Sequence, residues 1–383
     1  MAQRKARRYP AGVDGAGNSL TVVEVVYPEG APNDLRCLPG RDYVLQKSRG
    51  GRVVSSETVV TLCQTNDQAQ VDVTVKPNRI EIDRNGGVQA GYYFSSAYQL
   101  SPWRPLSMED CSFFGSGETT LERWDYVTLR AEAWHVDAGA DFASVCEADP
   151  GMFRYLLPPR VDIDSLELEQ RRTPLGSCAL TLDSSGKRGF VTWGKPDTRD
   201  PLEIKVLQAR QGVLLIQVID PGRNKAPAAS WVTADHVELW MGARMDGSKD
   251  DVVWQFGIPL DEGPVQVGYG KPGRLPGVRR WAVRLPDGRA ATMLRIELPP
   301  QPNMFSDGLT LAYSQSEQGR AQKRIIATSR MRRGVGSTMG RIGSVLIRNE
   351  AGDHVTCGVV NGALEITGAK QKPLIVPEFP VNQ

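Results

Sequence analysis

The sequence predicts an all-β chain of two β-rich domains, the C-terminal one a β-sandwich of jelly-roll-like type. Three observations carry this. Of 383 residues, 40 % are hydrophobic and 23 % charged, ordinary values for a folded chain with room for more than one domain. Short runs rich in Val, Ile, Leu and Thr recur along its length, many alternating apolar with polar residues. The 39 Gly and 26 Pro sit between those runs as turn punctuation, without a period.

Residues 1–18 are basic, then glycine-rich, and read as a flexible arm. A β-rich domain of unassigned type follows over 19–165. Its strand candidates are LTVVEVVYP, DYVLQK, GRVVSSETVVTLC, AQVDVTVK and NRIEID. Val71, Val73 and Val75 alternate with Asp72, Thr74 and Lys76, as a half-buried strand requires. Arg84-Asn85-Gly86-Gly87 is a turn signal. Residues 105–122 read as loop, and Trp124–Ala138 and Phe142–Tyr155 fit either strand or short helix. Leu157–Asp164, with two prolines, reads as a linker. Over 170–370 about a dozen more strand candidates follow, from GSCALTLD to ALEIT, as in a sandwich. Residues 371–383 read as an extended tail.

The net charge of +2 gives no case for a nucleic-acid partner. No apolar run approaches the ~20 residues of a membrane-spanning helix. Cys37, Cys63, Cys111, Cys146, Cys178 and Cys357 form no Cys-x-x-Cys pair, which weakens zinc and thioredoxin-type readings. An even, dispersed set fits disulfides in an oxidising compartment, hence a periplasmic or extracellular protein. Pairing in sequence order gives Cys37–Cys63, Cys111–Cys146 and Cys178–Cys357, one of about 15 connectivities. Six reduced thiols in a cytosolic protein are the alternative.

The most informative stretch is SWVTADHVELWMG, Ser230 to Gly242, followed by VVWQFGIPL, Val252 to Leu260. Along a strand, Val237, Leu239 and Met241 face a core while His236, Glu238 and Trp240 face the other way. An imidazole, a carboxylate and an indole in a row suit a ligand with polar edges and one apolar face, as a pyranose has. In order, the pair LEIKVLQARQGVLLIQVID, a Pro-rich loop ending in Trp231, the DHVELW strand, the WQF strand and Leu309–Ser329 resemble the carbohydrate-binding module family 9-like and DOMON-type sandwiches. The resemblance covers roughly 175–335 and leaves 1–160 unassigned. It implies a non-catalytic sugar-binding unit, usually secreted, with structural calcium in several members. Asp235, Glu238, Trp240 and Trp254 lie on the matching motif, and Trp231 and Trp281 match in type and rough place. On this reading Trp240→Ala abolishes glycan retention.

Each residue also has a plainer reading. Trp254 shares a strand face with Val252, Phe256 and Ile258, so core packing is open for it and for Trp281. Glu238 can pair with Arg280 or Arg284, and Asp235 can cap a turn. The resemblance allows one cofactor, a structural calcium; Asp235, Asp246, Asp250 and Asp251 are oxygen donors near one loop, without EF-hand spacing. The basic run Arg320–Arg341 offers phosphate or acidic-glycan contacts or is a solvated loop, and lacks a P-loop Gly-Lys-Ser/Thr. Of three histidines, His135 stands two residues from Asp137, with no visible nucleophile and no GxSxG or HExxH. The leading reading is glycan or envelope-polysaccharide binding. The alternatives are docking of a cell-envelope protein and, more weakly, a glycoside-processing enzyme.

Overall fold

A computed structural model describes residues 6–27, 38–64, 70–85, 92–113, 119–127, 130–136, 154–159, 161–210, 213–223, 230–245, 251–299, 304–317, 320–329, 355–369 and 374–378. The described chain is mostly β-strand. The first sheet is an antiparallel meander of β1 (Ala6–Val13), β2 (Ser19–Val26), β3 (Leu38–Arg49) and β4 (Arg52–Gln64). The second runs in chain order through β5 (Gln70–Lys76), β6 (Arg79–Asn85), β7 (Tyr92–Leu100), β8 (Trp103–Phe113), β9 (Thr119–Asp125), β10 (Arg130–Val136) and β11 (Arg154–Leu157). Leu20, Val22, Leu45 and Leu62 of the first sheet pack with Ile80, Ile82 and Leu100 of the second. Val71, expected on a buried face, is buried there.

Two expectations for this half are corrected and one open alternative is settled as strand. Residues 6–13 form β1 and are not an arm: Ala11 is buried and the Tyr9 hydroxyl donates to Glu24 Oε2 at 2.7 Å. Residues 105–122 hold most of β8 and part of β9, because a polar run pairs as a strand when neighbours on both sides supply the ladder. The ambiguous Trp124–Ala138 segment resolves into the end of β9 and β10.

After β11 one helix forms, α1 (Ser165–Arg171), which no periodicity announced. The Asp164 carboxylate accepts from Leu166 N–H at 2.8 Å, and Arg172 closes the helix in the left-handed region. Beyond it come β12 (Leu180–Asp183), β13 (Phe190–Trp193), β14 (Glu203–Gln208), β15 (Val213–Ile219), β16 (His236–Met245), β17 (Asp251–Pro259), β18 (Gln266–Tyr269), β19 (Gly277–Arg284), β20 (Ala290–Glu297), β21 (Met304–Glu317) and β22 (Ala321–Ala327). They make two facing sheets, β12-β14-β15-β20-β19 and β13-β22-β21-β16-β17-β18. Ile204, Val206, Leu214, Ile216 and Ile296 from one meet Val237, Leu239, Phe256, Ile258, Leu311 and Tyr313 from the other.

The outer face of the five-stranded sheet is also apolar. Leu207, Leu215, Val283 and Met293 are covered by Leu168 of α1, Leu175, Cys178, Leu364 and Tyr126. Leu364 belongs to a hairpin, β23 (Val355–Val360) and β24 (Ala363–Ala369), tied down by Cys178–Cys357 with Cα atoms 6.1 Å apart. That is the third expected pairing. Cys63 and Cys111 are disulfide-bonded too, and Cys37 and Cys146, their expected partners, lie outside the described residues. Of the expected tail, the described part is β25 (Leu374–Glu378), which adds in parallel to the edge of β4. Among the described residues no helix is long and apolar enough to cross a membrane.

Candidate functional site

The strand alternation read at β16 holds. Val237, Leu239 and Met241 enter the sandwich core, and His236, Glu238 and Trp240 stand on the outer face of the six-stranded sheet. Register places them beside Gln255 and Gly257 of β17 and Thr310, Ala312 and Ser314 of β21. This face is not open, however. His236, Glu238 and Trp240 are 0 %, 7 % and 6 % exposed.

Glu238 is the hub of a closed polar network. Its Oε2 accepts the Trp240 Nε1–H at 3.0 Å and the Gln255 Nε2–H at 2.9 Å, and its Oε1 lies 3.1 Å from His236 Nε2. His236 Nδ1 is 2.7 Å from Ala234 O, which can only accept, so Nδ1 carries a proton. Burial alone would push the Glu238 carboxyl up; hydrogen bonds from His236, Gln255 and Trp240, with the charge of His236, outweigh it and hold the group below the usual carboxylate range. His236 Nε2 and Glu238 Oε1 thus close the buried network on its third side.

The arginine pairing expected as an alternative for Glu238 does not occur. Arg280 donates to Pro259 O at 2.8 Å and Gly263 O at 3.2 Å, and Arg284 to Gly288 O at 3.2 Å. Both arginines belong to β19, in the other sheet.

Trp231 opens a short 3-10 turn, Trp231–Thr233, that crosses this face. Its ring lies over two glycines. A Cβ on Gly257 would overlap the indole, and one on Gly268 would come within 3.1 Å of Cη2. The ring meets His236 edge-on, centroids 5.2 Å apart at 75°. Trp231 is half-buried, so part of the indole is open to solvent.

The six residues read as ligand contacts thus divide. Trp231, Glu238 and Trp240 come together. Asp235 is buried and points to the sheet end, where its Oδ1 accepts from Ser316 N–H at 2.6 Å. Trp254 is 8 % exposed and packs edge-on against Phe256 in the core, because odd and even positions of β17 face opposite ways. Trp281 stands on β19, against the covered outer face of the five-stranded sheet. Trp240 is no exposed wall either, since its N–H is spent on Glu238. Gln255, Gly257 and Gly268 were not singled out, although Gln255 alternates with Trp254 and shows its side from sequence alone.

Near Asp235, the Asp220 carboxylate accepts from the Tyr313 hydroxyl at 2.9 Å. Burial first, then Asp235 and Asp200, raises its pKa above the ordinary value. Asp246, Asp250, Asp137 and Arg330–Arg341 lie outside the described residues, as do the side chains of Asp251 and His135. Within the basic run, Arg324 is tied to Asp200 at 2.7 Å, with Lys323 at 3.8 Å from the same carboxylate.

No protein-family model matches the chain and no curated protein does. Among solved structures the chain is similar to a carbohydrate binding module family 9 from Caldicellulosiruptor kristjanssonii in complex with cellotriose, at 12 % identity and a TM-score of 0.28. That alignment covers 44 % of this chain and 83 % of the other. A carbohydrate binding module family 9 from the same organism in complex with glucose gives 16 % identity and a TM-score of 0.26, over 44 % and 84 %. AofleA from Arthrobotrys oligospora gives 9 % identity and a TM-score of 0.14, over 84 % and 89 %. No residue here takes a role from these likenesses.

Proposed function

We propose that the protein binds a glycan without cleaving it, on the outer face of the six-stranded sheet, and works outside the reducing cytosol. The observation that carries this is the seating of Trp231. A half-buried indole lies over two glycines on an otherwise polar face, and it meets His236 edge-on. An indole held in this way offers a rigid apolar plane to the C–H face of a sugar at low entropic cost. Glu238 is buried and accepts from Trp240 and Gln255 beside His236, so it serves as a positioning group and leaves the sugar to others. A carboxylate in that state is also poorly suited to donate or take a proton in catalysis. The bonded cysteines fit an oxidising compartment.

The test is a glycan array probed with the intact protein and with Trp231→Ala. The expected outcome is a defined set of retained sugars lost in the variant while its melting temperature stays close to wild type. Retention unchanged in Trp231→Ala removes the indole from the site. A blank array with intact protein favours docking of an envelope protein instead, for which the 46 % exposed Trp193 and the 55 % exposed Tyr269, on the two edge strands of this sheet, are anchors among the described residues.

A further inference from the structure

We propose that the glycan of the Trp231 face is a neutral chain of at least two sugar rings, which runs over β18 and stacks its second ring on Tyr269. This rests on the reading of that face as a glycan site and names the length and charge of what binds there. Register puts Tyr269 on the same outer face. Gln255 and Gly257 stand two positions apart on β17, and Gln255 turns outward to Glu238. Tyr269 is the ladder partner of Gln255 and Gln266 that of Gly257, and partners across a ladder share a face. Gly268, beneath the indole, directly precedes Tyr269.

Tyr269 is placed as a platform. It is 55 % exposed, and its hydroxyl makes no hydrogen bond among the described residues. Gly268 and Gly270 flank it, so neither chain neighbour carries a side chain that shields the ring. β18 is the last strand of its sheet, so no further strand of that sheet stops a chain that runs past the ring. From Gly257, under the indole, to Gln255, opposite Tyr269, is two strand residues, or ~7 Å. That is the scale of the step from one sugar ring to the next. Trp231 and Tyr269 therefore offer two apolar planes for successive rings.

The polar group between the two planes is the Gln255 amide. Its Nε2 is spent on Glu238 at 2.9 Å, which fixes the amide and leaves Oε1 as an acceptor on a partly buried residue. A Cβ on Gly268 would overlap that oxygen and come within 3.1 Å of Trp231 Cη2, so the oxygen and the indole edge stand over the same glycine. A hydroxyl of a ring stacked on Trp231 is the donor this oxygen lacks. Glu238 thus acts on the ligand through Gln255. Gln266, the other polar side chain of β18 on this face, is also an amide. The Glu238 carboxylate and the His236 ring are buried beneath. Amides with no cation beside them suit hydroxyls and give an acidic sugar no counter-charge, which is why the chain is neutral.

The experiment is titration calorimetry on the full chain with three neutral series and one acidic one. The neutral series are glucose, cellobiose and cellotriose; glucose, maltose and maltotriose; and N-acetylglucosamine, chitobiose and chitotriose. Trigalacturonate is the acidic probe. Each is repeated with Tyr269→Ala, Tyr269→Phe and Trp231→Ala. The expected result is that in one neutral series the trisaccharide binds at least about tenfold tighter than the monosaccharide, a step of ~1.4 kcal/mol, and tighter than trigalacturonate. Tyr269→Ala, an exposed change, removes that tenfold gain, leaves the monosaccharide affinity and the melting temperature unchanged, and Tyr269→Phe keeps the gain. Trp231→Ala loses both. Equal affinity at every length, a gain that survives Tyr269→Ala, or preference for trigalacturonate overturns the proposal and leaves the Trp231 reading standing. No binding in any series, or binding untouched by Trp231→Ala, overturns both.

Discussion

The two outer faces of the sandwich differ in kind. On the five-stranded sheet Leu207, Leu215, Val283 and Met293 make an apolar surface, covered by α1, the 174–179 segment, the β23–β24 hairpin and Tyr126. On the six-stranded sheet the corresponding face carries His236, Glu238, Trp240, Gln255, Thr310 and Ser314, closed by hydrogen bonds and capped by Trp231. The same architecture has used one face to hold the chain together and kept the other for a polar, shaped surface. The apolar face draws its stability from area removed from water, which tolerates imprecision. The polar face draws it from a network in which each missing partner leaves a buried group unpaired.

The largest expected effect separates the two most sharply. Glu238→Ala leaves His236, Trp240 and Gln255 buried without their shared acceptor, at a cost of about 3–5 kcal/mol in urea unfolding. Glu238→Gln, which keeps the shape, costs less. On the opposite face, Leu215→Ala leaves a cavity costing about 2–5 kcal/mol. Its loss is expected to be independent of pH and to leave glycan retention intact. A Leu215→Ala variant that folds but retains no glycan would show that the faces are coupled.

The pH dependence sharpens the comparison within the polar end of the sandwich. The Glu238 carboxyl is held below its ordinary value, so its stabilisation is present above the unfolded-state value and is lost as pH falls through the folded one. The Asp220 carboxyl is raised, chiefly by burial and then by Asp235 and Asp200, so its sign is opposite. Its contribution is present at low pH and lost as pH rises through the folded value. Asp220→Asn keeps an acceptor for the Tyr313 hydroxyl and removes the charge. It is expected to raise stability near neutral pH by on the order of 1 kcal/mol. That gain should shrink to nothing as pH falls below about 4, followed by thermal melts across the range. A neutral-pH loss would show that Asp220 serves an ion or partner in its charged form.

The smallest change in stability carries the largest change in function. Gly257→Ala puts a methyl where the Trp231 ring lies. The ring sits at the surface and is displaced at a cost of about 1 kcal/mol or less, while retention on the array is lost. Tryptophan fluorescence should shift with it, since the indole leaves its seat beside His236.

Much of this was legible in the chain. Val237, Leu239 and Met241 against His236, Glu238 and Trp240 gave the two faces of β16, because alternation is a property of any extended strand. The even, dispersed cysteines pointed to disulfides, and Cys178–Cys357 pairs as sequence order proposed. Other features were hidden. The β1 segment looked like an arm because its basic residues face solvent while only Tyr9 and Ala11 turn inward. α1 is too short for periodicity to register and rests on its Asp164 cap.

The sequence by itself determined which residues share a face, since that depends only on local backbone geometry. It left open whether a face meets water, a core or its own network. Tertiary structure decided that Trp254 belongs to the core, Trp281 to the covered sheet and Trp240 to the grip of Glu238. It gave the half-buried place over that face to Trp231, outside the strand, because two glycines on β17 and β18 leave room for one ring. Burial is set by what packs on a face from elsewhere in the chain, and no local pattern records that.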